Sequence, residues 1–272
     1  MKQLTIFTPT YNRAYILPKL YESLCVQTCQ DFEWLIVDDG STDNTQVLVK
    51  KWIEEDRIDI RYIYQENAGK MMAHNKAVCE SEAELFMCVD SDDKLCSEKV
   101  IRDCLDFWDH NKSSKESNIC GFMALKRMSN ENYTGEKAIV FLRNILAKYP
   151  FPYFEGEKFV TDVYIYDQIE RDYTFLHFSY YVQECQYNED GYSFNYMKVL
   201  FDNPQGFRAY HNQCVKFRKK GYVKSAVCYV ALSIRIRDFR MLSTAANLPL
   251  TLLVFPFGVI KYFYDNYRLS HL

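Results

Sequence analysis

The sequence predicts an α/β fold, and two observations carry this prediction. Four segments with the character of β-strands, at residues 4–8, 33–37, 58–64 and 85–89, alternate with segments whose apolar residues recur at helical spacing. Polar loops follow these four segments. Strands and helices in alternation favour a parallel sheet with right-handed crossovers, a Rossmann-like nucleotide-binding arrangement. Because open α/β sheets bind ligands outside the carboxyl ends of their strands, we expect the functional site in these loops.

The elements follow in a regular order as far as residue 93. Pro9 and Thr10 end the first strand, and Gly69 opens one of the helices. The predicted helices lie at 14–26, 46–53, 69–78 and 97–108, with a further strand at 119–125, a loop with catalytic potential that feeds a helix within 149–187, and mostly helical structure at 205–240. We therefore expect one main domain at 1–205 and a helical C-terminal extension at 206–272.

Charge and cysteine content narrow the class of protein. The net charge of -3 hides a C-terminal segment, 208–272, with eleven Lys and Arg against two acids, a local charge of about +9. These basic residues are interleaved with aliphatic ones, which favours an anionic membrane surface as partner and argues against nucleic acid. The most apolar stretch, 248–260, has thirteen residues, against the roughly 20 needed to span a bilayer.

The ten cysteines show no metal-binding spacing, and no signal-peptide pattern precedes the first strand. Both features favour a reducing, cytosolic compartment. We expect a cytoplasmic protein that is peripheral to the inner face of the cell membrane.

The strand at 85–89 ends abruptly in Asp90, Ser91, Asp92 and Asp93. Three carboxylates so close together repel one another unless a cation or hydrogen-bond donors compensate. A hard divalent ion, Mn²⁺ or Mg²⁺, held by one or two carboxylates and by substrate phosphates, is the natural compensator. The alternative is a solvated acidic turn before a helix capped by Ser97.

A second acidic loop, Asp38-Asp39-Gly40-Ser41, lies between a strand and a helix. A carboxylate there can accept a hydrogen bond from the imide N–H of a nucleobase, or the loop is only a capping turn. There is no GxGxxG after the first strand and no GxxxxGK[ST] in the chain. Dinucleotide-dependent enzymes and P-loop kinases are therefore disfavoured.

Four blocks in order carry a resemblance to a known family: Thr8-Pro9-Thr10-Tyr11-Asn12-Arg13, then Val37 to Asp43, then Gly69-Lys70 with Ala73-His74-Asn75, then Val89 to Asp93. Together they closely resemble the family 2 glycosyltransferases, inverting enzymes of GT-A fold. Residues 155–162 and 187–193 match more loosely. The resemblance implies that 1–205 is a GT-A catalytic domain, with a Rossmann-like mixed sheet flanked by helices.

The resemblance also implies residue roles. Pro9 and Tyr11 would line the nucleotide pocket, and Asp39 would contact the base, usually uracil. Asp90 would lie near the ribose and share with Asp92 a metal that bridges the diphosphate. The remaining residues expected to bind the nucleotide sugar are Thr8, Arg13, Lys70, Asn75, Ser91 and Asp93, of which Asp93 would position the sugar. His74 stands where the family often has arginine, so whether it contacts phosphate stays open, with Lys70 as the alternative source of charge.

An acceptor hydroxyl must lose its proton to a base. In the family this base is an aspartate, commonly preceded by glutamate, at the start of a helix; here Thr161-Asp162 stands in that place. Asp162 is the predicted base and Glu157 the second candidate. The alternative for Asp162 is a charge favoured by the helix dipole.

The resulting hypothesis is a metal-dependent inverting glycosyltransferase that moves a sugar from a nucleotide-sugar donor, with UDP expected, to a saccharide or lipid-linked acceptor in cell-surface polysaccharide synthesis. Two alternatives stay open. A nucleotidyltransferase also uses paired acids and a divalent ion, but it releases pyrophosphate. A non-catalytic module would bind a nucleotide sugar without turnover.

Overall fold

A computed structural model of the chain describes residues 2–113, 118–128, 133–186 and 194–271. Residues 187–193, one of the loosely matching segments, lie outside this range. The chain forms two compact units, Met1–Phe151 with Ile165–Asn188, and Pro152–Tyr164 with Glu189–Leu272. Residues 152–164 therefore belong to the same compact unit as the C-terminal helices. The boundary at residue 205 between the catalytic domain and the extension stays a prediction.

The first unit contains an eight-stranded mixed sheet with strand order β3-β2-β1-β4-β7-β6-β8-β5. Its strands are β1 (Leu4–Thr10), β2 (Phe32–Asp38), β3 (Ile60–Tyr64), β4 (Leu85–Cys88), β5 (Lys94–Leu95), β6 (Ile119–Met128), β7 (Tyr133–Leu142) and β8 (Thr174–Cys185). Its helices are α1 (Leu17–Cys25), α2 (Thr45–Glu55), α3 (Lys70–Glu80), α4 (Val100–Asn111), α5 (Arg143–Leu146) and α6 (Val163–Asp172), of which the first two residues belong to the second unit.

The four predicted strands form the parallel part of this sheet. β1 pairs in parallel with β2 and with β4, and β2 pairs in parallel with β3. β1 and β4 are apolar runs buried on both faces, which is why they occupy the centre. Since β2 and β4 lie on opposite sides of β1, the chain reverses its strand order there, and the loops that end these strands meet at the switch point where α/β sheets bind ligands.

Three strands, β5, β7 and β8, were not predicted. β7 pairs antiparallel with β4 and with β6, and β8 falls within 149–187, where the sequence predicted only a loop and a helix. β8 has irregular register against β6, so its buried side chains do not alternate strictly. β5, which follows Asp93 directly, pairs with Gln183 and Glu184 of β8. The acidic loop is therefore held against β8.

The second unit is helical: α7 (Tyr196–Asp202), α8 (Pro204–Lys216), α9 (Tyr222–Arg235), α10 (Met241–Thr244) and α11 (Leu248–Leu269). Tyr229, Val230 and Val254 form the apolar contact between α9 and α11. The predicted helical extension is thus observed.

The helix α11 has 22 residues, nine more than the apolar stretch from which its length was judged. The apolar stretch ends at Ile260, and the aromatic residues after it continue the apolar face of the helix. By length and composition alone, α11 is a helix that could cross a membrane.

Candidate active site

Asn12 joins the loops that follow β1 and β2. Its backbone has a positive φ of 54°, and its side-chain Oδ1 accepts hydrogen bonds from the backbone N–H groups of Thr42 (2.8 Å) and Asp43 (3.3 Å). Its own N–H donates to Ser41 Oγ at 2.8 Å. These bonds hold the loop so that the neighbouring Tyr11 is half-exposed, at 48%. The sequence singled out Tyr11 but missed Asn12, although asparagine tolerates this backbone conformation better than most residues.

Arg13 lies at the outer part of the same loop. Its guanidinium donates to the Tyr15 hydroxyl at 2.7 Å, and its backbone N–H donates to Thr45 Oγ1 at 3.3 Å. The latter bond ties the loop after β1 to the first turn of α2. The predicted role of Arg13 in nucleotide-sugar binding stays a prediction.

Asp39 is buried, and its carboxylate is used within the protein. Oδ1 accepts from Gln65 Nε2 at 2.7 Å and from the backbone N–H of Ala68 at 2.8 Å, while Oδ2 accepts from the N–H of Gly69 at 2.8 Å. The carboxylate therefore shapes the loop between β3 and α3. Its neighbour Gly40 has φ +87°, and an added Cβ would lie 2.9 Å from the backbone nitrogen of Asn67. Only glycine fits this close approach without strain.

Two residues predicted to bind the nucleotide sugar have structural partners. Thr8 is fully buried, and its Oγ1 accepts from Trp34 Nε1 at 2.9 Å. Asn75 exchanges two hydrogen bonds with the backbone of Phe151, at 2.8 and 2.9 Å. These contacts join strands and segments of the first unit. Ligand contacts by Thr8, Asn75 and Pro9 stay predictions.

Lys70 and Asp90 form an ion pair at the carboxyl end of β4. Lys70 Nζ lies 2.8 Å from Asp90 Oδ1 and 3.0 Å from Oδ2. Desolvation acts to raise the pKa of Asp90, but the charges of Lys70 and Lys126 outweigh it and hold that pKa below its ordinary value. Asp90 is therefore a carboxylate at neutral pH, and the ammonium of Lys70 lies beside it.

Asp93 is paired with a buried lysine from β6. Lys126 Nζ lies 3.3 Å from Asp93 Oδ2, and both side chains are largely buried. Burial raises the pKa of Asp93 to about 6, against the opposing charge of Lys126 and with the repulsion of Asp90 and Asp92. Burial acts to lower the pKa of Lys126, but these carboxylates hold it above its ordinary value. The sequence missed Lys126, although a lysine inside the apolar strand pattern before residue 128 is a usable signal.

Asp92 lines an open cavity of about 670 Å³, whereas the neighbouring Ser91 is buried. The side chains around this cavity come from the start of α1, the acidic loop and the end of β8. They are Pro18, Lys19, Glu22, Asp92, Lys94, Glu184, Cys185 and Gln186. Lys94 also pairs with Glu184 at 3.0 Å. Asp92 therefore faces a space large enough for a ligand.

The donor set at this edge suits a divalent ion that also binds substrate. Among the described residues, no cluster of three or more His, Cys, Asp or Glu forms a self-contained metal site. Asp92 and Asp90 supply carboxylate oxygens, the ligands that Mn²⁺ and Mg²⁺ prefer, and such ions commonly complete their shell with phosphates and water. The residues therefore fit an ion whose binding depends on a bound diphosphate.

The side chain of His74 lies in the aromatic core of the first unit. Its ring is packed edge-on against Phe7, Phe86 and Phe151, with ring centroids 5.2 to 5.7 Å apart. Desolvation, with the charge of Lys70, lowers the pKa of His74 to about 3. The imidazole is neutral and belongs to the core, so Lys70 is the cation of this block.

The two candidate bases lie in the second unit and differ in their surroundings. Both oxygens of Glu157 accept from the first turn of α8, from the N–H groups of Gln205 (2.7 Å) and Gly206 (2.8 Å). Burial raises the pKa of Glu157, while these hydrogen bonds oppose the change. Asp162 is half-buried and directly precedes α6, as predicted for the base. Glu157 acts as a helix cap, and the choice between the two candidate bases stays a prediction.

A mixed sheet flanked by helices, with acids at the carboxyl ends of its parallel strands, is the arrangement predicted for the GT-A fold. Residues 5–168, more than half of the chain, match the family described as Glycosyl transferase family 2, and the chain belongs to this family.

Comparison with a known relative agrees with this assignment. The chain is 40% identical over 98 residues to the teichoic acid poly(glycerol phosphate) polymerase of Staphylococcus epidermidis. The matched segment covers 36% of this chain but only 14% of that polymerase, so the relative is much longer than the shared part.

Solved structures show the same fold at low sequence identity. TarS 1-349 of S. aureus, in complex with UDP, superimposes with a TM-score of 0.63 at 16% identity, covering 99% of this chain and 92% of that one. The mannosyltransferase PcManGT of Pyrobaculum calidifontis, in complex with GDP-Man and Mn²⁺, gives 0.61 at 16% identity, covering 98% and 82%. The predicted GT-A fold and family are thereby confirmed.

Proposed function

We propose that this protein is an inverting glycosyltransferase that transfers a sugar from a UDP-sugar to a saccharide or lipid-linked acceptor in cell-surface polysaccharide synthesis. The observation that carries the proposal is the Lys70–Asp90 pair beside Asp92, at the carboxyl edge of the parallel strands in a chain of this family. The relative named for teichoic acid polymerisation and the UDP complex of TarS support the substrate classes.

The chemistry requires stabilisation of the departing diphosphate. As the bond between the anomeric carbon and the diphosphate oxygen breaks, negative charge grows on that oxygen. Lys70 supplies a fixed positive charge at this edge of the sheet. Asp92, with Asp90, would hold Mn²⁺ or Mg²⁺, which when bound acts as a Lewis acid toward the diphosphate. Asp39, through the loop between β3 and α3, would position the uracil.

Asp162 would accept the proton of the acceptor hydroxyl. The oxygen then attacks the anomeric carbon from the face opposite to the diphosphate, which inverts the configuration. Glu157 is a weaker candidate because both of its carboxylate oxygens already accept backbone hydrogen bonds.

A purified enzyme and a panel of UDP-, GDP- and dTDP-sugars test the proposal. We expect consumption of a UDP-sugar with release of UDP, and strong loss of turnover with Asp92→Ala or with a chelator. Asp106→Ala, an exposed carboxylate on α4, is the matched control and should leave turnover unchanged. Release of pyrophosphate would identify a nucleotidyltransferase instead, and full turnover in both Asp92→Ala and chelator would refute the metal-assisted mechanism.

The base is tested by Asp162→Asn, which should abolish transfer while UDP still binds. Glu157→Gln provides the comparison and should retain transfer. If Asp162→Asn is fully active and Glu157→Gln is inactive but folded, the assignment of the two residues is reversed.

The basic, apolar C-terminal segment supports a location at the inner face of the cell membrane, where a lipid-linked acceptor would be available.

A further inference from the structure

The C-terminal helix α11 buries one face against α9. Thr251, Val254, Gly258 and Asp265 are its buried residues. Gly258 allows the close approach, because an added Cβ would lie 2.4 Å from the side chain of Val230 on α9. This face therefore packs inside the second unit, so only the opposite face of α11 is available for contacts with another molecule.

The opposite face of α11 carries large apolar and aromatic side chains that have no cover. Leu252, Leu253, Phe257, Ile260, Phe263, Tyr264 and Tyr267 are 53% to 73% exposed. At 3.6 residues per turn they project on one half of the helix, together with Leu248, Pro249 and Pro256. Within α11, which the structure describes in full, this half contains no charged residue.

The exposed apolar face of α11 is large enough to indicate a binding partner. The helix is 22 residues long, about 33 Å at 1.5 Å per residue. At roughly 100 Å² each, seven large side chains expose several hundred Å² in one stripe, at or above the largest patch of a typical soluble monomer. Single exposed apolar residues need no explanation, but a continuous stripe of this length does.

Positive groups lie along both edges of the stripe. On one edge, Arg268 projects from α11 itself, and beside it lies Lys261, which is paired with Asp265 at 3.0 Å. On the other edge, Arg235 of α9 donates to Asn266 Oδ1 at 2.6 Å, and its guanidinium lies 5.8 Å from the centre of the Tyr262 ring. An apolar face bordered by cations suits the boundary between acyl chains and anionic headgroups.

The same arginine excludes a spanning orientation. If α11 crossed the bilayer, α9 and its Arg235 would be carried into the hydrocarbon, and burying a guanidinium there costs several kcal/mol. Both acids of segment 208–272 are paired, Asp238 with Arg208 and Asp265 with Lys261, and eleven basic residues against these two acids give the segment a net charge of about +9.

We propose that α11 lies in the plane of an anionic lipid surface, with the stripe from Leu252 to Tyr267 inserted among the acyl chains and with Arg235, Lys261 and Arg268 at the headgroups. This assigns a partner and an orientation to the proposed membrane location, on which it rests. α9 stays on the water side of α11.

Flotation with vesicles of phosphatidylglycerol and phosphatidylcholine, without donor or acceptor, tests the surface. We expect the full chain to float, and the triple variant Leu253→Gln, Phe257→Gln, Phe263→Gln to lose about tenfold or more of its partitioning. The matched control replaces two equally exposed apolar residues of the first unit, Val47→Gln and Tyr180→Gln, and should float like wild type.

Equal flotation of the triple variant and wild type would overturn the proposal. So would a wild-type particle of two chains that becomes one chain in the triple variant without any vesicle binding, because the stripe would then be a dimer interface. If the triple variant loses helical circular dichroism, the single variant Leu253→Gln replaces it, with a smaller loss expected. Since no sugar transfer is measured, failure here and failure of the glycosyltransferase proposal are separate outcomes.

Orientation is tested with Phe257→Trp and Phe263→Trp and brominated lipids, with wild-type fluorescence subtracted. A helix in the membrane plane places both new side chains at the same depth. A spanning helix would separate them by about 9 Å, since the two positions are six residues apart. Unequal quenching depths would overturn the in-plane arrangement.

Discussion

Asp39→Ala tests whether this carboxylate builds the loop between β3 and α3. The carboxylate accepts three hydrogen bonds, from Gln65 and from the N–H groups of Ala68 and Gly69. Alanine leaves two partly or fully buried backbone N–H groups without an acceptor, at about 1–3 kcal/mol each. With partial relaxation we expect the free energy of unfolding to fall by about 3 kcal/mol. For a unit of this size that corresponds to a Tm lower by about 6–12 °C.

The tryptophans make this effect measurable in the right unit. Trp34, Trp52 and Trp108 are the three tryptophans of the chain, and all lie in the first unit. Their fluorescence during thermal unfolding therefore reports that unit alone. Asp106→Ala, at an exposed site on α4, is the control and should change stability by no more than about 0.5 kcal/mol.

The result also separates two roles of Asp39. A residue that only contacts the base would leave the Tm of the ligand-free protein unchanged on substitution and would reduce UDP binding. We expect a lower Tm without any ligand. A wild-type Tm for Asp39→Ala would refute the structural role derived from its three hydrogen bonds.

Four further predictions follow from single contacts. The lowered pKa of His74 means that the folded state binds fewer protons than the unfolded state between about pH 6.5 and 3, so its stability falls as the pH decreases through that range. At pH 5 this amounts to about 2 kcal/mol, and His74→Phe should remove that part of the difference between urea unfolding at pH 7.5 and pH 5; identical pH dependence in both proteins would contradict it. Gly40→Ala should destabilise the first unit by about 1–3 kcal/mol, through its positive φ and its close approach to the neighbouring loop, and a neutral effect on tryptophan-detected unfolding would refute the strain. Lys70→Gln should weaken UDP binding about tenfold in titration calorimetry, whereas unchanged affinity would remove Lys70 from the phosphate site. Glu157→Gln should lower helical stability by about 1 kcal/mol, measured by circular dichroism. The reason is that the NH₂ group of the glutamine carboxamide would face a backbone N–H, so that two hydrogen-bond donors would meet.

The parallel half of the fold was predictable because its information is local. β4 is a continuous apolar run and β1 and β2 are mostly apolar, each followed by a polar loop, and such segments have few alternatives to a buried strand. β8 was not predictable in this way. Its register shifts against β6 disturb the alternation of buried and exposed side chains, so its strand character appears only with its partners in place.

In the candidate site, too, some contacts were predictable from local motifs and others were not. The motifs correctly brought Lys70 and Asp90 to one edge, since both follow from loops at strand ends. They did not reveal that Thr8 bonds to Trp34 or that His74 is enclosed by aromatic rings. Those partners come from distant parts of the chain, so they cannot be predicted from the residue types near Thr8 and His74.

By itself the sequence indicated the family, the parallel arrangement of the first four strands and the loops that meet at their carboxyl ends. Only the tertiary structure decided that Asp39 and Glu157 accept hydrogen bonds from backbone N–H groups, and that Asp92 lines an open cavity. The physical reason is that hydrogen bonding and desolvation depend on neighbours in space. Lys126, more than thirty residues beyond Asp93 in the chain, sets the charge balance of the acidic loop only because β6 folds beside it.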